Sequence, residues 1–112
     1  KFIGPITLRN ALAQSLNIPA VKTLYLAGIK NSLKLAADMG ITTLNDPDRY
    51  GLTLVLGGGE VKLIDMTYAY GVFANEGVAA EPRSILKIED TRGNIIEENS
   101  VKTKTVWIGT LL

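Results

Sequence analysis

The spacing of apolar residues changes once along the chain, and this change limits the folds that the sequence can adopt. Up to Gly77, apolar residues recur at intervals of three and four, which predicts helices. After Pro82, two short runs at residues 85–89 and 94–97 flank the turn sequence of residues 90–93, whose glycine suits a positive φ. A two-stranded hairpin is marginal by itself in water, so we expect it to join a larger sheet. The sequence thus predicts an α+β fold with four helices and one C-terminal β-hairpin.

Capping residues define the first two predicted helices. Thr7 is a suitable N-cap for the first helix, and residues 15–17 interrupt that helix. Pro19 suits the first turn of the second helix, which Gly28 is expected to end in a left-handed conformation. The residues expected on the inner faces of these helices are Leu8, Ala11, Leu12, Val21, Leu24 and Tyr25.

The third helix is predicted at residues 31–39 with Gly40 as its cap, and the fourth ends at residues 76–77. Between them, residues 45–48 have the composition of a turn, and the apolar residues 52–56 predict a buried extended segment. The inner faces of the third and fourth helices are expected to carry Leu35, Ala36, Met39, Leu63, Met66, Tyr70 and Phe73.

By composition and spacing, the chain divides into a helical part at residues 1–78, the hairpin at residues 79–98 and a tail at residues 99–112 that we expect to be loose and that is polar up to Thr105. It begins without methionine and ends on the apolar residues 106–112, which is what we expect of a piece cut from a larger domain. At 112 residues it has room for one domain at most.

Composition excludes several classes of function. Twelve basic and eleven acidic residues leave a net charge of +1, which does not favour nucleic acid or an anionic membrane as a partner. The chain has no cysteine and no histidine, so thiolate chemistry and histidine bases are excluded. Acid–base chemistry in this chain therefore depends on carboxylates, lysines or hydroxyls.

Two long blocks of sequence resemble the penicillin-binding transpeptidases. Residues 4–22 read GPITLRNALAQSLNIPAVK and resemble the segment around the second motif of that family, most closely in its bifunctional, membrane-anchored class. Residues 54–61, LVLGGGEV, and 63–77, LIDMTYAYGVFANEG, resemble the segments that follow, in family order. The hairpin region at residues 82–96 also fits. The resemblance implies the mainly helical part of a penicillin-binding transpeptidase or serine beta-lactamase-like domain.

The family's reaction, as the resemblance implies it, uses three motifs around one cleft. The serine of S-x-x-K attacks a D-alanyl-D-alanine stem peptide and forms an acyl-enzyme, and beta-lactams acylate the same serine. S-x-N is matched here by Ser15 and Asn17. By resemblance, the Ser15 hydroxyl relays a proton between the catalytic lysine and the leaving group. The Asn17 amide holds the carbonyl of the substrate and steadies that lysine.

The resemblance also implies the setting of the reaction. The parent protein would crosslink peptidoglycan outside the cytoplasm while anchored in the bacterial cell membrane, without metal or cofactor. Its partners would be the stem peptide, beta-lactams and the remainder of the transpeptidase domain, and not nucleic acid.

The sequence departs from the family pattern at the other two motifs. No S-x-x-K lies upstream of Ser15, and K-T-G is absent, with Lys104-Thr105-Val106 as its nearest approach. We therefore place no nucleophile in this chain and expect the isolated chain to be inactive. Ser84-Ile85-Leu86-Lys87 spells S-x-x-K but follows S-x-N in strand-like sequence, so we interpret it as a chance match.

Structural interpretations compete with these functional ones. Asn17 is also well placed to cap the second helix, and Ser15 to be a hydrogen-bonded hydroxyl at a helix end. Residues 57–60, GGGE, lack the lysine of a phosphate-binding loop and favour a tight turn. Asp46 and Asp48 have no further ligands at metal-binding spacing and are interpreted as a solvated turn.

Two alternatives to a transpeptidase fragment stay open on sequence alone. One is a beta-lactamase or beta-lactam sensor, which shares the fold and the serine–lysine chemistry. The other is a noncatalytic binding or structural module that keeps the scaffold without the reaction.

Overall fold

The computed structural model describes residues 3–107 and shows an α+β chain with two small antiparallel sheets. The helices are α1 (Leu8–Ala13), α2 (Asn17–Ala27), α3 (Ile29–Asp38) and α4 (Leu63–Ala74), with 3₁₀ helices at Pro47–Arg49 and Leu52–Leu56. The strands are β1 (Val78–Ala80), β2 (Lys87–Glu89), β3 (Ile95–Glu98) and β4 (Thr103–Thr105). Strand β1 pairs with β4, and β2 pairs with β3.

The molecule is elongated and buries little of its apolar surface. Its radius of gyration is 18.6 Å and its principal extents are 68 × 33 × 24 Å, whereas a compact domain of this length has a radius of about 13 Å. Its accessible surface is 9114 Å², against about 6,000 Å² for a compact protein of this mass. The excess of about 3,000 Å² is surface that a compact fold of this size would bury.

A small core lies where α4 meets the end of α3 and the β1–β4 sheet. Val72 is 1% exposed and packs with Met39 and Ala69. Partly buried side chains that pack around these three are Ile41, Ala79, Val106 and Trp107. The Trp107 ring lies 5.3 Å from that of Phe73. This core joins the helical part to the β-strands that follow it.

The caps of the first two helices confirm two predictions and correct a third. The Thr7 hydroxyl accepts a hydrogen bond from the Asn10 amide at 3.3 Å, and Pro19 lies in the first turn of α2. Gly28 has a positive φ of 83° but a ψ of 138°, so the predicted left-handed helical conformation is wrong. Gly28 ends α2 and also precedes α3, where its carbonyl accepts from the amide and hydroxyl of Ser32. Because of this, α3 begins at Ile29, two residues earlier than predicted.

The inner faces of the helices agree with the prediction only in part. Ala11, Leu24 and Met39 are buried as expected, and Leu33 is buried without having been predicted. The large apolar residues that were predicted to face inward but are exposed are Leu8, Leu12, Tyr25, Leu35, Leu63, Met66, Tyr70 and Phe73. In α4 the buried face is instead Asp65, Ala69 and Val72.

The correction at α4 has a physical reason. Leu63, Tyr70 and Phe73 are 84%, 69% and 52% exposed, although their spacing is that of a buried face. The helix is apolar around most of its circumference, so periodicity alone does not select the side that packs. Within residues 3–107, β1 and Met39, the residue that follows α3, pack on the side with the small residues.

Residues 52–56 form a 3₁₀ helix, so the predicted buried extended segment is wrong. The Leu54 amide donates to the Gly51 carbonyl, and the Gly57 amide donates to the Leu54 carbonyl, both at 3.1 Å. Val55 and Leu56 are exposed. A short apolar run does not by itself distinguish a strand from a helical turn, and this run has glycine at both ends.

The predicted hairpin is present, with a shorter first strand than expected and a second strand of the expected length. Strand β2 begins at Lys87, and Gly93 has the predicted positive φ, at 84°. The Asp90 carboxylate closes the turn by accepting from the amides of Arg92 and Asn94 at 2.8 and 2.9 Å. Because these hydrogen bonds join residues within a single turn, the hairpin could be predicted from the local sequence.

The predicted loose tail is wrong for Thr103–Thr105, which forms β4. Val78 pairs with Thr105 and Ala80 with Thr103, so the base of the hairpin region is closed by a second sheet. The partner lies 25 residues away in sequence, and the polar side chains of β4 are those of an exposed edge strand. Residues 108–112 of the predicted tail lie outside the described residues.

The carboxylate of Asp65 fastens the loop after α3 to α4. It accepts from the Thr42 amide at 3.0 Å and from the Thr42 hydroxyl at 2.6 Å. The neighbouring Thr43 hydroxyl donates to the Glu60 carbonyl at 2.6 Å. The Thr42 hydroxyl and amide, with a smaller effect of the Lys62 charge, hold the pKa of Asp65 below its ordinary value.

We expect the Thr42–Asp65 contact to give the chain a pH-dependent stability. A carboxyl whose pKa is lowered by folding stabilises the fold above its ordinary pKa, about 3.9. This contribution is lost as the pH falls through the lower pKa of the folded state. Thr42→Val removes one donor to the carboxylate, so the free energy of unfolding should fall less steeply with acidification below pH 5 than in the unaltered chain.

Urea titrations from pH 6 to pH 2 measure this, with Thr43→Val as the matched control. Thr43 donates to a backbone carbonyl that does not titrate, so its substitution should lower stability equally at every pH. If the two variants show the same pH profile, Asp65 does not carry the acid dependence.

Candidate functional site

Ser15 lies in the sharp turn between α1 and α2. Its φ is 53°, in the left-handed region of backbone conformation that residues other than glycine rarely adopt. Its amide donates to the Leu12 carbonyl and the Leu16 amide donates to the Ala11 carbonyl, both at 3.0 Å. These two bonds constitute a Schellman motif with Ser15 at the C′ position. The backbone at Ser15 is therefore fixed by two hydrogen bonds.

Asn17 is the first residue of α2, and this corrects its interpretation as the helix cap. The N-cap position belongs to Leu16, and no side chain caps this helix end. Asn17 is exposed, as is Ser15. Within residues 3–107, neither side chain hydrogen bonds to another protein group, so Ser15 is not a hydroxyl satisfied at a helix end. Both polar groups are available to a ligand or to another surface.

The second serine–lysine pattern has the wrong local structure for a nucleophile. Ser84 lies in a bend and Lys87 is the first residue of β2, so the pair does not share a helical face. The Lys87 ammonium pairs with the Glu89 carboxylate at 2.6 Å. This geometry supports the interpretation as a chance match.

The K-T-V sequence at residues 104–106 also takes part in structural contacts. Lys104 and Thr105 belong to β4, and the Lys104 ammonium lies 2.8 Å from the Asp38 carboxylate. That ion pair lowers the pKa of Asp38. The lysine thus connects β4 to α3 instead of lining an open cleft.

The glycines at residues 57–59 serve packing and a tight turn. Gly57 has a φ of 101°, and a Cβ on Gly59 would approach the side chains of Leu44 and Leu54 at 2.7 and 2.8 Å. Asp46 accepts from the Asp48 amide at 3.1 Å, which is a turn contact. In the described part of the chain, no group of three or more acidic residues is placed to hold a metal ion.

Two open clefts of about 480 and 630 Å³ lie elsewhere on the surface. The smaller is apolar and lies between α2, the start of α3 and the 3₁₀ helices; the larger is polar and includes Arg49, Tyr50, Glu60 and Lys62. Neither cleft is lined by Ser15 or Asn17, both of which are exposed. A binding site that uses Ser15 and Asn17 therefore needs additional residues to enclose it.

None of the helices in residues 3–107 has the length and apolar character needed to span a membrane.

Comparison with known proteins gives a consistent set of relatives. The chain is 34% identical over 108 residues to penicillin-binding protein 1A of Clostridium acetobutylicum, an alignment that covers 94% of this chain and 13% of that protein. It is 39% identical over 99 residues to penicillin-binding protein 1A of Aquifex aeolicus, covering 88% of the chain and 13% of the relative. It is also 39% identical over 102 residues to penicillin-binding protein 2D of Bacillus subtilis, covering 91% and 14%.

The chain therefore spans about 13% of the length of the curated relatives that it matches. No family model matches it. The alignments cover about nine-tenths of the chain, so most of each block that carries the resemblance lies within them.

The free amide of Asn17 leads to a prediction about stability. Asn17→Ala should change the free energy of unfolding by less than about 0.5 kcal/mol, because the side chain caps nothing. Thr7→Ala removes a genuine capping bond and should cost about 1 kcal/mol. Urea denaturation of the two variants measures both values, and equal losses would show that Asn17 is a structural cap after all.

Proposed function

Because the chain belongs to the penicillin-binding protein family, we propose that it is part of a peptidoglycan D,D-transpeptidase domain and supplies its S-x-N element. The sequence similarity across about nine-tenths of the chain carries this proposal. The names of the relatives favour a penicillin-binding protein over a beta-lactamase. We also propose that the parent protein belongs to the bifunctional class. It would be anchored in the cell membrane, with this domain outside the cytoplasm.

In this reaction a serine outside the chain attacks the carbonyl of the penultimate D-alanine, and the terminal D-alanine leaves as the acyl-enzyme forms. The amine of a second stem peptide then attacks the acyl-enzyme, which creates the crosslink and frees the serine. Each step moves one proton between an attacking group and a leaving group. Lysine and hydroxyl groups carry out this transfer without metal or cofactor.

Ser15 and Asn17 fit complementary roles in this reaction. The Ser15 hydroxyl would pass the proton between the lysine of S-x-x-K and the leaving amine, since a hydroxyl both donates and accepts. The Asn17 amide would donate to the carbonyl of the substrate. Both side chains are exposed, Ser15 within the turn between α1 and α2 and Asn17 at the start of α2, and neither hydrogen bonds to another protein group among the described residues.

The rest of the domain would cover the surfaces that this chain leaves open. The exposed residues Leu63, Tyr70 and Phe73 on α4 lie on one helical face, and every residue of β2 and β3 is exposed. We propose that the helical part at residues 1–78 and the hairpin at residues 79–98 dock on the remainder of the transpeptidase domain. Stem peptides and beta-lactams would bind in the cleft completed by that docking, and the near-neutral charge gives no reason to add nucleic acid as a partner.

Intact-mass spectrometry after incubation with a beta-lactam tests the proposal. The full-length protein that contains this chain should gain the mass of one beta-lactam, and the isolated chain should gain none. An adduct on the isolated chain would place the nucleophile within it, with Ser84 as the first residue to examine. If neither protein is labelled, the chain is a noncatalytic module.

Single substitutions in the full-length protein test the role of Ser15. Loss of a general acid–base group typically slows a reaction by about 10² to 10⁴-fold, and we expect a decrease of this size in the acylation rate of Ser15→Ala. Ser84→Ala is the matched control, since Ser84 is also exposed but lies in the bend before β2. Equal rates for the two variants would rule out a catalytic role for Ser15.

A further inference from the structure

The larger of the two open clefts is lined by charged side chains that have no ionic partner in the described chain. Its volume of about 630 Å³ lies within the roughly 300–1,000 Å³ of small-molecule sites. The lining includes two cations, Arg49 and Lys62, and one carboxylate, Glu60, and all three residues are exposed. Within residues 3–107, none of the three forms an ion pair. The cleft thus presents two positive charges and one negative charge to a ligand.

Arg49 does not pair with the carboxylates closest to it in sequence. Elsewhere in the chain Arg83 lies 3.0 Å from Glu81, two residues away. Arg49 lies between Asp46 and Asp48, but the Asp46 carboxylate accepts from the Asp48 amide, and Asp48 lines the smaller cleft. The guanidinium of Arg49 lies instead 5.9 Å from the centre of the neighbouring tyrosine ring. That contact uses the face of the guanidinium and leaves its N–H donors available.

Hydrogen bonds hold the walls of this cleft. The Thr43 hydroxyl donates to the Glu60 carbonyl at 2.6 Å, and the Asn45 amide donates to the Thr42 carbonyl at 2.9 Å. Thr42 in turn donates from its own amide and hydroxyl to the buried carboxylate of Asp65, which is not part of the lining. A wall that is already ordered reduces the entropy that is lost when a ligand binds.

We propose that this cleft binds a small ligand that carries a carboxylate, with the Arg49 guanidinium as the principal contact. A guanidinium presents two parallel N–H donors, which match the two oxygens of a carboxylate. The Lys62 ammonium adds positive charge, part of which acts on Asp65. The Glu60 carboxylate opposes a second negative charge in the same cleft, so a monoanion is favoured over a phosphate dianion.

Hydrogen exchange of the full-length protein, measured by mass spectrometry, tests the cleft with N-acetylalanine as the carboxylate probe. Binding should slow amide exchange in peptides from residues 42–62, since this range contains the whole lining. N-acetylalaninamide has nearly the same shape without the negative charge and should slow nothing. Inorganic phosphate at the same concentration should slow exchange less than N-acetylalanine does, and stronger slowing by phosphate would contradict the assignment to a carboxylate.

Two substitutions in the lining should change the affinity in opposite directions. Arg49→Gln removes the principal contact, so the N-acetylalanine concentration that gives half of the slowing should rise about tenfold. Glu60→Gln removes the opposing charge and keeps the carbonyl that accepts from Thr43, so this concentration should fall about threefold. Arg92→Gln is the matched control, because Arg92 is exposed in the hairpin turn and does not line the cleft. Unchanged exchange outside residues 42–62 shows that the variants are folded.

The inference is overturned if N-acetylalanine slows no exchange, if its amide slows exchange equally, or if Arg49→Gln binds as Arg92→Gln does. The first result is also the one expected if another segment of the parent protein fills the cleft. Neither Ser15 nor Asn17 lines this cleft, and the measurement does not involve acylation. The inference and the proposed function can therefore fail independently of each other.

Discussion

The contact between Thr42 and Asp65 determines how the helical part is assembled. Asp65 is 8% exposed and is the only charged side chain among the buried residues of the described chain. Burial of a carboxylate is unfavourable unless hydrogen bonds replace its hydration, and Thr42 supplies two of them. Because Thr42 comes shortly after α3 and Asp65 lies in the first turn of α4, these bonds join the loop after α3 to the start of α4. The core of Met39, Ala69 and Val72 connects the end of α3 to the same helix.

Within residues 3–107, few other contacts connect the helical part of the molecule to its β-strands. Beyond the small core, the ion pair between Lys104 and Asp38 connects β4 to α3, and both groups are partly solvated. The excess surface of about 3,000 Å² exceeds the roughly 1,000–2,500 Å² that one partner buries in an obligate interface. Helix α4 is apolar on both sides, and it has a partner on only one of them within residues 3–107. This is the pattern of an internal helix of a larger domain with one neighbour present.

Local chemistry was predictable from sequence, and packing between distant segments was not. Thr7 as a cap, Pro19 in a first turn and Gly93 in the hairpin each depend on a few adjacent residues, and all three were correct. The choice of the buried face of α4 and the pairing of β1 with β4 depend on residues far along the chain, and both were missed. The candidate site residues Ser15 and Asn17 were identified only because the surrounding sequence resembles a known family. The left-handed backbone of Ser15 had no sequence signal, because glycine or asparagine is what normally marks it.

The charges of the chain indicate what the proposed site must obtain from outside it. Proton relay by Ser15 needs a lysine of lowered pKa within hydrogen-bonding reach. The two lysines in motif-like sequences, Lys87 and Lys104, already form ion pairs with Glu89 and Asp38. In the proposed reaction, the chain therefore contributes an exposed hydroxyl and an exposed amide, and other parts of the domain would supply the nucleophile and its lysine.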